Sequence, residues 1–124
     1  DGSYEDLPAD RTVRAETLAG VNEWEGVLHV RSRDGTTLVF GDVVTWVQSL
    51  PEPARSTIEP TGFLSPEPVF ARMAKDELLR EPEALRAHLL RLADLPDLVR
   101  IVPGHGRPIL ERPAEVLRRI AATI

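Results

Sequence analysis

Two short segments present side chains that can bind a metal ion, each directly after an apolar run typical of a buried strand. The segment Pro103-Gly104-His105-Gly106-Arg107 follows the run Leu98–Val102, and its glycines permit a sharp turn that presents the imidazole. Upstream, Gly41-Asp42 ends a similar run and presents a carboxylate. Imidazole and carboxylate are ligands of zinc and related divalent ions. The sequence therefore predicts a metal site to which Asp42 and His105 contribute.

Composition excludes several other chemistries. The chain has 124 residues, which suits a single domain over residues 1–124, and it has no cysteine, which excludes disulfides and Cys-rich zinc sites. A net charge of -5 and an aromatic content of 5% argue against a nucleic-acid partner. No apolar run is long enough to cross a bilayer and no signal peptide opens the chain, so we expect a cytoplasmic protein with no membrane partner.

The first half of the chain carries strand patterns. Residues 11–18 partly alternate in polarity and predict a strand, and residues 26–32 predict a second one. The pair Asp34-Gly35 is a strong hairpin signal, so residues 37–41 are expected to return antiparallel to the second strand. This hairpin ends beside Asp42.

A proline-rich stretch and several helices follow. Residues 43–68 contain five prolines and predict an irregular loop, which is either a wall of a binding cleft or a connector. Helices are predicted from Ser65 to Leu79, from Pro82 to a stop at Pro96, and from about Pro113 onward. With the strand Leu98–Val102, this order predicts an α+β or α/β fold, a sheet with helices packed on one face.

This order of motifs resembles the metallo-β-lactamase superfamily, whose fold is an αββα sandwich of two similar halves with metal ions between them. The chain is similar to the C-terminal half over residues 11–124. The resemblance implies half of such a sandwich, built on a mixed β-sheet. It also implies that Asp42 bridges two metal ions and that His105 binds the second of them.

The sequence departs from that family at its other metal ligands. The N-terminal His-x-His-x-Asp-His motif has no counterpart here, and Val21 or Asn22 stands at the place of the family's third metal-binding histidine. Asn22, Glu23 or Glu25 could donate oxygen instead. A catalytic zinc ion needs about three protein ligands and an open position for water. We therefore expect a divalent metal, zinc first and manganese or iron as alternatives, only where further ligands come from elsewhere.

Two functions from different classes remain open at this stage. In the first, the chain is the C-terminal portion of a metal-dependent hydrolase that cleaves an ester, thioester, lactone or similar bond of a small molecule. The parent protein is then an enzyme, and the isolated chain, with no catalytic residue of its own, is inactive. In the second, the fold has lost its metal centre and acts as a binding or oligomerisation module. An isolated half exposes an apolar sheet face, so we expect a homodimer or a complementary N-terminal half as partner.

Three further side chains are candidates for contact with a substrate. Trp46 and Phe63 flank the proline-rich loop, where side chains of the family line the substrate pocket, and packing is their alternative role. Arg107 follows His105 closely, and a guanidinium suits the carboxylate or phosphate of an anionic substrate. The alternative is that Arg107 is an exposed surface arginine that binds no ligand.

The two other histidines and the second tryptophan carry no predicted function. Strand alternation puts Val27, His29 and Arg31 on one face of a strand, which we expect to be the more polar face. His88 lies near the edge of the apolar face of a helix and is expected at the surface or partly buried. Trp24 is expected to pack beside the hairpin.

Overall fold

Four strands form one mixed β-sheet in the computed structural model, which describes residues 10–124. In chain order the elements are β1 (Val13–Thr17), β2 (Gly26–Ser32), β3 (Gly35–Phe40), β4 (Thr45–Trp46), α1 (Ala54–Ile58), α2 (Arg72–Leu78), α3 (Pro82–Ala93), β5 (Leu98–Val102), β6 (His105–Gly106) and α4 (Pro113–Ala122). The sheet order is β1-β2-β3-β5, and β4 pairs separately with β6. The first three strands are antiparallel, whereas β5 runs parallel to β3.

The predicted hairpin is confirmed in β2 and β3, although the returning strand begins at Gly35 rather than at Thr37. Ser32 pairs with Gly35, which leaves Arg33 and Asp34 as the turn. Gly35 has a φ of +138°, and a Cβ there would lie 2.4 Å from the carbonyl oxygen of Asp97. Only glycine fits this position without strain.

The core lies on one face of the sheet, which confirms the mixed sheet with helices packed on one side. Val27, Leu38 and Ile101 are fully buried on that face. Buried apolar residues of α3 and α4 complete it: Leu85, Leu89, Leu92, Ala93, Val116, Leu117, Ile120 and Ala121. On the opposite face, Leu28 and Val39 are only half-buried and stand outside the core cluster.

The stretch of residues 43–68 is more ordered than the sequence predicted. It contains β4, α1 and a short 3-10 helix over Glu59–Thr61, so the expectation of a wholly irregular loop was wrong. The prolines keep these elements short because proline lacks the N–H that helices and ladders use. The two helical segments of this stretch have only five and three residues.

The helix predicted from Ser65 was placed too early, since α2 begins at Arg72. The hydroxyl of Ser65 does accept a hydrogen bond from the Glu67 amide, at 3.2 Å, but only within a local turn. Val69 then pairs with Thr45 through two backbone hydrogen bonds of 3.0 and 2.9 Å. The backbone is therefore extended beyond Pro68, and the helix starts only after this bridge.

The two later helices match the sequence prediction. Both α3 and α4 begin at a proline, where the missing N–H costs nothing, and α3 ends at Ala93, before Pro96. None of the helices within residues 10–124 combines the length and the apolar character needed to cross a bilayer.

Three positions outside the site differ from expectation. His29 lies on the buried, helix-covered face of β2 rather than on a polar face, because Glu16 and Arg14 provide hydrogen-bond partners for its ring. Trp24 is 63% exposed and does not pack beside the hairpin; its backbone N–H donates to the side chain of Asn22 in a local turn. His88 is 7% exposed, more deeply buried than expected.

Candidate functional site

Asp42 and His105 meet at the carboxyl ends of two adjacent parallel strands. Val39 of β3 pairs with Val102 of β5, so both chains leave the sheet at the same edge. The Nε2 atom of His105 lies 3.0 Å from Oδ1 of Asp42. The side chains are 59% and 43% exposed, so the pair is accessible from solvent. This is the edge of an α/β sheet where ligands commonly bind.

The short strand β6 holds His105 against β4. Thr45 pairs with His105 and Trp46 with Gly106. The Gly104 amide donates to the carbonyl oxygen of Val44 at 3.0 Å, and the Arg107 amide donates to that of Trp46 at 3.0 Å. The imidazole is therefore carried by a hydrogen-bonded backbone rather than by a free loop.

Glycines in this segment allow backbones to approach more closely than any side chain permits. A Cβ on Gly104 would lie 2.5 Å from the carbonyl oxygen of Gly41. Gly106 has a φ of +94°, and a Cβ there would lie 1.8 Å from the carbonyl oxygen of Trp46. These contacts bring the backbone before His105 directly onto the backbone before Asp42.

The three residues predicted to contact a substrate surround His105 or its strand. The ring of Phe63 meets the imidazole edge to face, with centroids 5.8 Å apart. The guanidinium of Arg107 lies over the ring of Trp46, 5.1 Å from its centroid, and hydrogen-bonds to Gln48. Trp46 and Phe63 also pack against the hydrophobic core, as their alternative role anticipated.

Of the three residues named as possible oxygen donors, Glu25 has its carboxylate beside Gly41, the residue before Asp42. Its Oε2 atom is buried, has no hydrogen-bond partner within residues 10–124, and would lie 2.6 Å from a Cβ on Gly41. Burial raises the pKa of Glu25, and the negative charge of Asp42 raises it further. By contrast, the side chain of Asn22 already accepts a hydrogen bond from the Trp24 amide, at 3.1 Å, and Glu23 is exposed to solvent.

These residues fit a metal ion only in part. Asp42 and His105 offer a carboxylate and an imidazole, which suit zinc, manganese or iron. No group of three histidine, aspartate or glutamate side chains in the described part of the chain is arranged to hold a metal ion. A catalytic zinc site needs about three protein ligands. The described residues therefore bring together two candidate ligands, fewer than such a site needs.

The sequence did not indicate a second polar cluster, which involves β1, β2 and α3. Glu16 contacts His29 and His88 on the helix-covered face of the sheet. The three residues are widely separated in sequence and share no motif. Only the pairing of β1 with β2 and the packing of α3 bring them together.

No family model matches the chain, and no curated protein shows a significant match to it. Function is therefore inferred from the geometry at the strand ends and from the two motifs that carry the resemblance.

Proposed function

We propose that the chain is the C-terminal portion of a metallo-β-lactamase-like, metal-dependent hydrolase. The observation that carries this proposal is the contact between Asp42 and His105 at the ends of two parallel strands, 3.0 Å apart. In this proposal both residues are ligands of a divalent metal, zinc first and manganese or iron as alternatives. The remaining ligands come from a His-x-His-x-Asp-His segment of a complementary N-terminal half.

The metal would supply a bound hydroxide at neutral pH, which is the nucleophile for cleaving an ester, thioester, lactone or similar bond. The residues of this chain hold one side of that site. Arg107 supports a role in binding an anionic group of a small-molecule substrate, because its guanidinium makes no ion pair within residues 10–124. Trp46 orients that guanidinium, and Phe63 forms the apolar wall beside His105.

A metal titration of the purified chain tests the ligand roles. We expect zinc chloride to bind weakly to the wild-type chain in isothermal titration calorimetry, because two ligands leave the coordination incomplete. Asp42→Asn and His105→Gln should each weaken binding by about tenfold or more, since each removes half of the ligand set. Asp76→Asn, an exposed carboxylate on α2, serves as the control and should bind zinc as the wild type does. Unchanged zinc affinity in both site variants would contradict the ligand assignment.

A second function is favoured by one observation. His105 and Asp42 bond directly to each other, and the described residues include no third ligand. This supports a metal-free derivative of the fold that acts as a binding or oligomerisation module. Elemental analysis separates the two proposals: tightly bound stoichiometric zinc, manganese or iron in the purified protein would exclude the metal-free module.

A further inference from the structure

Two buried histidines share one carboxylate between the sheet and α3. The Nε2 atom of His29 lies 2.7 Å from Oε2 of Glu16, and the Nε2 atom of His88 lies 3.1 Å from Oε1. The two imidazole side chains are 7% and 6% exposed. Glu16 also forms ion pairs with Arg91 and with Arg14. We call these five residues the histidine cluster.

The hydrogen bonds define the tautomer of both rings. Nδ1 of His88 accepts the backbone N–H of Ala19 at 2.9 Å, so the ring proton of neutral His88 is on Nε2, where it is donated to Glu16. Nδ1 of His29 faces the guanidinium of Arg14 at 3.3 Å, which likewise leaves its proton on Nε2. In this tautomer each ring accepts at Nδ1 and donates at Nε2 to Glu16, and the Nε2 atom of His88 also lies 2.7 Å from a guanidinium nitrogen of Arg91, which is a second donor.

A second proton on either ring would remove one of these bonds. Protonated Nδ1 of His88 would face the Ala19 N–H, and protonated Nδ1 of His29 would face the Arg14 guanidinium. Both contacts would set a donor against a donor. The cluster already holds two guanidinium groups, Arg14 and Arg91, for one carboxylate. Each added proton therefore places further positive charge on a buried ring beside these guanidinium groups, with Glu16 as the one carboxylate of the cluster.

We propose that the histidine cluster is an acid-sensitive switch that joins α3 to the β1–β2 edge of the sheet at neutral pH and releases it when the rings are protonated. The charged and titratable groups that act on the two rings come from every element involved. They are Arg14 and Glu16 of β1, His29 of β2, and His88 and Arg91 of α3. β1 is the edge strand of the sheet, so it can separate without breaking the β2–β3 ladder.

The direction of the pH dependence follows from the ring environments. Burial lowers the pKa of His29 and of His88 from 6.5; Glu16 opposes this, and the arginines add to it. A histidine with a lowered folded-state pKa contributes stability that is complete above its unfolded-state pKa and is lost as the pH falls toward the folded-state pKa. For Glu16, burial alone would raise the pKa, but hydrogen bonds from Arg91 and His29 lower it to about 2. Glu16 therefore stays charged while the histidines titrate.

Hydrogen exchange at the Ala19 amide tests the switch, because this N–H donates to His88. After correction for intrinsic exchange, we expect its protection to fall by about tenfold per pH unit once the pH drops below the unfolded-state pKa of histidine. The amide of Ile101, which donates to Ile109 within the core, should change much less. Histidine ring NMR over the same range should give pKa values below 6.5 for His29 and His88.

Two histidine variants test whether protonation of His88 causes the pH dependence of Ala19 exchange. His88→Gln keeps one acceptor and one donor but does not titrate, so Ala19 protection should lose most of its pH dependence, and the remainder should come from His29. His105→Gln removes the exposed histidine outside the cluster and should keep the wild-type pH dependence. Constant Ala19 protection in the wild type, or His88→Gln with the wild-type pH dependence, would overturn the proposal. Should His88→Gln fail to fold, the wild-type ring titration and Ala19 exchange decide the question without it.

Discussion

At the residue scale, the position of His105 is determined by its neighbours on three sides. Asp42 binds its Nε2 atom, and the ring of Phe63 meets it edge to face. The glycines before and after it let its backbone contact that of Gly41 and Trp46. Because these contacts hold the imidazole in place, the metal binding that we propose would order one fewer side chain, which lowers its entropic cost.

Two glycine substitutions test whether this backbone contact positions the site. Gly104→Ala sets a Cβ 2.5 Å from a backbone oxygen, so the strands must separate, and we expect a loss of about 2 kcal/mol in unfolding free energy. Gly41→Ala sets its Cβ 2.6 Å from the end of the Glu25 side chain, which can rotate away, and should cost less than about 1 kcal/mol. Urea unfolding measures both. Equal losses of unfolding free energy in the two variants would contradict this, because the backbone contact at Gly104 would then be no costlier to disrupt than the side-chain contact at Gly41.

At the element scale, a different element connects each polar site to the core, and for the histidine cluster that element is α3. Its apolar face, with Leu85, Leu89 and Leu92, is fully buried against the sheet and α4, and it also carries His88 of the histidine cluster. The pair β4–β6 performs the corresponding role at the candidate metal site, where it fixes His105. Each polar group is therefore held by an element whose position the hydrophobic core determines.

Substitution of two neighbouring leucines on α3 distinguishes the contribution of core packing to stability from that of helix propensity. Leu89 is fully buried and Leu90 is 40% exposed, yet both lie in the same turn. Leu89→Ala should lower the unfolding free energy by about 2–5 kcal/mol because it leaves a cavity between the helix and the sheet. Leu90→Ala should change it by less than about 1 kcal/mol. Thermal or urea unfolding provides the comparison, and a larger loss for Leu90→Ala would contradict the described orientation of α3.

At the scale of the whole molecule, the sheet has one covered and one open face. Leu28, Val30 and Val39 project from the open face, are half-buried, and belong to no core cluster within residues 10–124. Val102 on the same face is 38% exposed. An apolar face of this kind is a typical site of protein association. It supports the proposed homodimer or complementary half as the partner.

A charge on the open face tests this association. Leu28→Lys should keep the circular dichroism of the wild type and shift the chain to a monomer in light scattering, because a buried ammonium opposes docking of a second apolar surface. Leu90→Lys, on the outer side of α3, is the matched control and should leave the oligomeric state unchanged. A wild-type chain that is a monodisperse monomer at high concentration would contradict the proposed partner.

Much of the fold and part of the candidate site could be predicted from local patterns. The Asp34-Gly35 turn specified the hairpin, and prolines at the first position of α3 and α4 marked where both helices begin. The start of α2 could not be predicted from neighbouring residues. The backbone hydrogen bonds between Thr45 and Val69 keep the chain extended despite the capping signal at Ser65. The roles of Trp46, Phe63 and Arg107 remain predictions, although all three lie beside His105 or its strand.

Local sequence patterns were enough to select Asp42 and His105 and the strands that end beside them, because turn residues and polarity patterns act between near neighbours in the chain. Only the tertiary structure decided which of these residues meet. The 3.0 Å contact of Asp42 with His105 requires parallel pairing of β3 with β5, and the burial of His29 and His88 around Glu16 requires α3 to pack across β1 and β2. Such contacts join residues far apart in sequence, and the burial of the hydrophobic core selects them.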